Sequence, residues 1–283
     1  MLCRICRHCG LCEGDGSFPL DKNIVVNDEV FYSKNIACVG AKNNEVALVF
    51  DIGTTTIALA VIHLKTGKKV YSIGELNAQV AFGTDVIARI AFASSENGEK
   101  NLNKILKNQL SKMIRRVIGE IQILYAKKWG RIECTKIVLC GNTAMECFAR
   151  GVSVLGLSHF PFSVPDNFGY EIHFSQIFDI SVPVSPECTV FFAPVIGPFI
   201  GGDTVCAMLS CFFSDKIKEN AVFLADVGTN CEIAEKQQDS LFQVLNLSVT
   251  LMETKWVIRN GNIIQKDFLL VLTREVQCSK FLQ

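Results

Sequence analysis

Val46-Ala-Leu-Val-Phe50-Asp51-Ile-Gly53-Thr54-Thr55-Thr56 is the stretch on which the fold turns. An unbroken apolar run of this length suits a buried strand, and Asp-Ile-Gly-Thr at its end is turn chemistry. A second apolar run follows over residues 57–64, then Lys65-Thr-Gly67-Lys68, then a third run over residues 70–73. Strand, tight turn, strand, turn, strand reads as an antiparallel meander. The arrangement returns 175 positions later, where Ala221-Val-Phe-Leu-Ala225 leads into Asp226-Val-Gly228-Thr229-Asn230 and Glu232-Ile-Ala234 comes back. An echo at such a separation indicates a duplicated unit, and with it two similar lobes facing one cleft.

The residue types say what such hairpins can do. Gly53 and Gly228 let the backbone turn with its N–H groups open to phosphate oxygens. Thr54, Thr55, Thr56, Thr229 and Asn230 add side-chain donors. Asp51 and Asp226, at the strand ends, can hold Mg²⁺ through water or position an attacking water. A further glycine-rich turn, Gly201-Gly202-Asp203-Thr204, opens a helix over residues 205–213.

Between the two hairpins the period changes. A short helix is expected over residues 85–93. A long amphipathic one over residues 101–129 carries Leu102, Leu106, Leu110, Met113, Val117, Ile121 and Leu124 on one face. A strand over residues 135–139 runs into Gly141-Asn142-Thr143 and a short helix. Pro161, Pro165, Pro183 and Pro186 mark a loop-rich insertion. His63, His159 and His173 have no paired acid or ligand spacing and read as structural.

Composition narrows the class. In 283 residues, 28 Lys and Arg balance 28 Asp and Glu, and 49% are hydrophobic, which excludes disorder and argues against a nucleic-acid coat. The most apolar stretch is broken by Pro194 and Pro198, so no membrane span is expected. Cysteines stand where a secretory h-region would lie, so the expected location is the cytoplasm.

Of the 13 cysteines, four are crowded into Cys3-Arg-Ile-Cys6-Arg-His-Cys9-Gly-Leu-Cys12. Every gap is two residues. Structural zinc more often uses two knuckles separated by a longer loop, whereas a cubane iron–sulfur cluster takes tightly repeated ligands. The spacing therefore favours a cluster, expected to be 4Fe–4S, with Cys3, Cys6, Cys9 and Cys12 as ligands. Cys38 is the alternative fourth ligand. The remaining cysteines read as small buried hydrophobes.

Asp51 to Thr56 and Asp226 to Asn230 resemble the two phosphate motifs of the acetate and sugar kinase/Hsc70/actin (ASKHA) superfamily. Asn77-Ala-Gln-Val-Ala-Phe-Gly83-Thr-Asp85-Val-Ile-Ala-Arg89-Ile, Gly141-Asn-Thr-Ala-Met145, Pro194-Val-Ile-Gly-Pro-Phe-Ile-Gly-Gly202-Asp203-Thr204 and Asp226-Val-Gly-Thr-Asn230-Cys-Glu232 are similar, in order, to blocks of the ATP-dependent reductive activators of corrinoid proteins. The resemblance implies an α/β, actin-like ASKHA fold with duplicated hairpin lobes. It implies ATP with Mg²⁺ bound at Gly53, Thr54, Thr55, Thr56, Gly202, Asp203, Gly228, Thr229 and Asn230, with Asp51 and Asp226 in catalytic positions. It also implies an electron passed from an iron–sulfur cluster to a cob(II)amide, giving cob(I)amide. The partners would be a corrinoid protein of a methyltransferase system and a low-potential electron donor, and a homodimer is compatible with it. Past residue 234 the family's later blocks are missing, as though by an internal deletion before a divergent tail. The expected organisation is a Cys-rich segment over residues 1–33, a connector over 34–44, a first lobe with an insertion over 45–220, and an incomplete second lobe over 221–283. An activator of a 2-hydroxyacyl-CoA dehydratase, a small-molecule kinase with a zinc head, and a degenerate fragment without turnover are the competing readings.

Overall fold

The computed structural model describes residues 38–179 and 181–212, and the backbone of five later strands between residues 222 and 265. The chain divides between Lys218 and Glu219 into two compact units.

In the first unit, β1 (Glu45–Ile52), β2 (Thr56–His63) and β3 (Lys68–Leu76) form the antiparallel meander that the alternating turn signals predict. β1 then pairs in parallel with β4 (Glu133–Gly141), and β4 with β6 (Thr189–Phe192); a three-residue edge strand, β5 (Glu171–His173), closes the far side. The sheet order is β3-β2-β1-β4-β6-β5. Val46, Leu48, Phe50 and Ile52 of the central strand are fully buried, whereas β2 alternates between buried and more open positions. On its other face β1, flanked by β2 antiparallel and β4 parallel, is buried at Ala47 and half-buried at Val49.

The crossover from β3 to β4 carries a 3-10 turn (Ala78–Phe82), α1 (Val86–Ala93) and α2 (Gly98–Trp129). Asp85 caps α1, its Oδ1 accepting from the Ala88 N–H at 2.8 Å. α2 ends at Gly130, whose φ of 76° leaves the helix, just after Lys127 and Lys128 in the last turn. Leu102, Leu106, Leu110, Met113, Val117 and Ile121 are all fully buried, but Leu124 is 60% exposed, contrary to the expected stripe. Steps of four from Ile121 lead instead to Tyr125 and Trp129, whose rings stack at 4.2 Å. Trp129 in turn stacks on His63 at 4.3 Å, and His63 bridges Asn43 O and Thr66 Oγ1, each at 2.9 Å. That histidine is a structural brace.

α3 (Thr143–Arg150) follows β4, a mostly irregular stretch with a few short turns leads to β6, and α4 (Gly202–Phe212) opens at the Gly201-Gly202 pair. Among the described residues no helix is long and apolar enough to cross a membrane.

The second unit, by itself, holds another antiparallel meander, β7 (Val222–Val227), β8 (Cys231–Lys236) and β9 (Gln243–Leu247), and a hairpin of β10 (Trp256–Arg259) with β11 (Asn262–Gln265). Its turn is tighter by one residue: Val227 pairs with Cys231, whereas Ile52 pairs with Ile57.

Candidate functional site

Asp51 is the last residue but one of β1, and Gly53, Thr54 and Thr55 link that strand to β2. A Cβ on Gly53 would stand 2.6 Å from Thr56 O, so the turn is closed to any larger residue. Three successive carbonyls of this turn are anchored from the body. Asn77 Nδ2 donates to Gly53 O at 2.9 Å, Arg89 Nη2 donates to Thr54 O, and the Asn77 N–H donates to Thr55 O at 2.8 Å. In a trans peptide unit the N–H points opposite the C=O. The N–H groups of Thr54 and Thr55 are thereby turned away from the anchoring residues, as an anion-binding turn requires.

The end of β4 and the start of α4 form the neighbouring wall. Asn142 caps α3 through Oδ1, which accepts from the Met145 N–H at 3.1 Å, and its Nδ2 donates to Thr54 Oγ1, also at 3.1 Å. Gly201 and Gly202 press α4 against this turn: a Cβ would come within 2.4 Å of Asn142 Cα in the first case and 2.1 Å of Glu146 Oε1 in the second. Asp203 follows in the first turn of α4, its Oδ1 accepting from the Thr204 N–H at 2.7 Å. The charges of Asp203 and Asp51 both bear on the Cys206 thiol of α4. The Gly53–Thr55 turn and Asn142 follow the carboxyl ends of β1 and β4, the end at which parallel sheets take their ligands.

Two wholly buried ionisable groups lie beneath these walls. Arg89 also donates through Nε to Gly83 O at 3.0 Å and through Nη1 to Gln79 Oε1 and Met145 Sδ, both at 3.4 Å. Desolvation lowers it to about 10, offset in part by Asp85, so it stays cationic at neutral pH. Glu146 Oε1 accepts from the Gly141 N–H at 3.2 Å, while its Oε2 has no hydrogen-bond partner among the described residues. Desolvation, then the nearby Asp203 and Cys206, raises Glu146 to about 9 against the Gly141 and Gly202 amides, so it is a neutral acid at pH 7. Beside it the Cys140 thiol donates to Phe50 O at 3.1 Å and lies within hydrogen-bonding reach of Cys206; the Cys206 contact and then burial push Cys140 well up.

The structure thus gathers Asp51, Gly53, Thr54, Thr55, Thr56, Gly202 and Asp203 at one end of one sheet. Thr54 is buried with its hydroxyl bonded to Asn142, while Thr55 and Thr56 are exposed. Asp226 holds the same place in β7 that Asp51 holds in β1, last but one. Gly228, Thr229 and Asn230 lie outside the described residues, as do Cys3, Cys6, Cys9 and Cys12. Cys38 is exposed; Cys134, Cys140, Cys147 and Cys188 are buried. Among the described residues no group of three or more His, Cys, Asp or Glu is placed to hold a metal ion. Sequence reasoning gave no separate role to Asn77, Arg89 or Glu146. For the two charged residues the available signal was a charge amid the apolar residues of a short helix, Arg89 in Val-Ile-Ala-Arg-Ile-Ala-Phe-Ala and Glu146 in Thr-Ala-Met-Glu-Cys-Phe-Ala-Arg.

Residues 46–216 match the family model for the RACo middle region. The chain belongs to the RACo middle region family. Beyond this match, the curated "Corrinoid activation enzyme RamQ" of Eubacterium limosum is 31% identical over 198 residues, which make up 69% of this chain and 31% of that protein. A solved "Reductive activator for corrinoid,iron-sulfur protein" superposes with a TM-score of 0.60 at 23% identity, over 74% of this chain and 32% of its own. The described residues therefore share the α/β fold of that solved structure, built here on a six-stranded sheet. The chain spans about a third of the length of either relative.

Proposed function

We propose that this chain takes part in the ATP-dependent reductive activation of a corrinoid protein, returning cob(II)amide to cob(I)amide. The observation that carries the reading is the anchored Gly53–Thr55 turn, with its N–H groups facing away from Asn77 and Arg89, in a chain of the RACo middle region family. Thr54 and Thr55 would hold phosphate oxygens through their N–H groups. Asp51 and Asp203 would hold Mg²⁺ through water, since Mg²⁺ bound with phosphates needs only one or two protein carboxylates. Gly202 would let α4 approach closely enough to complete the wall. Asp226, Gly228, Thr229 and Asn230 would repeat the grip from the second hairpin. An iron–sulfur cluster on Cys3, Cys6, Cys9 and Cys12, expected to be 4Fe–4S, would supply single electrons of low potential, received from a separate donor. ATP would favour the partner-bound state by binding it more tightly than the free one. The expected setting is the cytoplasm, and a homodimer is compatible with this reading.

The test is anaerobic. The chain is reconstituted with iron and sulfide, mixed with a cob(II)amide protein, a low-potential reductant and Mg·ATP, and followed by the loss of the cob(II) electron-paramagnetic signal. ATP-stimulated loss, abolished in Cys6→Ala or Cys9→Ala while nucleotide still binds, supports the proposal. ATP binding with no ATP-dependent loss of that signal would sink it.

A further inference from the structure

Arg89 heads the fully buried side chains of the described residues in volume, and among those residues its guanidinium hydrogen-bonds only to uncharged groups. Asp85 is the one acidic residue among those described whose field reaches it, and the two form no ion pair. A buried cation without a paired anion is costly. Bracing alone does not require it, because Asn77 anchors two carbonyls of the same turn, those of Gly53 and Thr55, without any charge. The peptide unit it grips is the one that matters. The C=O of Thr54 receives Arg89, and the N–H at the other end of that unit belongs to Thr55.

We propose that Arg89 is a positioning residue that acts by its charge: it polarises the Thr54–Thr55 peptide from behind, so that the Thr55 N–H binds a phosphoryl oxyanion more strongly. Hydrogen-bonded groups polarise one another in series, and the effect is largest where water is excluded. The bound anion would in turn balance the buried cation, which is why that charge is kept. This inference rests on the phosphate reading of the turn and goes further, assigning part of the affinity to a side chain that never touches the ligand.

The experiment uses the full chain and two probes, inorganic triphosphate and ATP, each with Mg²⁺, by calorimetry at low and high salt. Arg89→Lys keeps the charge and loses the fork; Arg89→Gln loses the charge and keeps a donor. Both variants are expected to melt earlier than the parent chain. Triphosphate affinity should stay within about threefold for Arg89→Lys and fall roughly 30-fold for Arg89→Gln, with a weaker salt dependence. Equal losses in both, no loss in either, or a parent chain that ignores triphosphate would each overturn the inference. If Arg89→Gln does not fold, Arg89→Lys decides: retained affinity supports the charge, and lost affinity in a folded protein overturns it. Triphosphate binding without ATP binding upholds Arg89 and removes the nucleotide from the proposed function.

Discussion

Arg89, beneath the Gly53–Thr55 turn, and Glu146, beside the Gly201–Gly202 turn, are both wholly buried, yet they finish in opposite states. Burial penalises the charged form of each. Arginine starts far above neutrality and falls only to about 10, so it keeps its charge and satisfies it with two carbonyls, an amide oxygen and a sulfur. The glutamate starts at 4.5 and climbs to about 9, crossing neutrality, so it keeps its proton and leaves one oxygen without a partner among the described residues. One physical penalty gives a cation under one wall and a neutral acid under the other, because the starting values lie at different distances from pH 7.

The largest expected effect tests the neutral half of that comparison. Between about 4.5 and about 9 the folded chain holds a proton on Glu146 that the unfolded chain has released, so stability falls as pH rises through this window. Glu146→Gln has no proton to lose. It should exceed the parent chain by up to about 3 kcal/mol at pH 7 and match it at pH 4, as read from denaturant unfolding at a series of pH values. Parallel pH profiles would show that Glu146 is ionised in the fold and break the comparison. A smaller loss is expected from Gly202→Ala, whose methyl would meet Glu146 Oε1 at 2.1 Å and Ala193 Cβ at 2.6 Å. Overpacking of this kind should cost about 2 kcal/mol in thermal unfolding. It should cost less once Glu146 is shortened to Asp; an unchanged loss there would place the crowding elsewhere.

Asn142→Ala removes the cap of α3 and the bond to Thr54 Oγ1 together, and should lower stability by about 1 kcal/mol. Least of all in stability, Thr55→Ala should change unfolding by under about 0.5 kcal/mol, since the side chain is exposed. Phosphate affinity should still drop about fivefold through the lost hydroxyl. Equal affinity in that variant would confine the role of Thr55 to its backbone N–H and sharpen the part given to Arg89.

The meander was legible because its signals are local. An apolar run, a Gly-Thr turn and a second run specify a hairpin without reference to anything distant, and the same signals led to β7 and β8. The long helix was legible from its period up to Ile121. Leu124 was misread because a stripe with steps of four can continue along two lines, and the stack of Tyr125 and Trp129 on His63 selects the other one. The orientation of the Thr54 hydroxyl, which accepts from Asn142 Nδ2 and keeps its own proton to donate, is set by a partner 88 residues away that no spacing rule points to. The one-residue difference in register between the two hairpins was likewise invisible, because Asp-x-Gly-Thr is spelled alike in both.

What this chain's sequence determined alone is the kind of unit it builds. Apolar periodicity, turn residues and a repeated motif are short-range properties, and they yield one antiparallel meander, a second hairpin and the α/β class. Only the tertiary structure decided which side chains stand behind the phosphate turn. Arg89, Asn77 and Glu146 acquire their roles from neighbours 35, 24 and 56 positions away along the chain. Burial and charge state depend on those neighbours, and no local pattern encodes the desolvation that sets them.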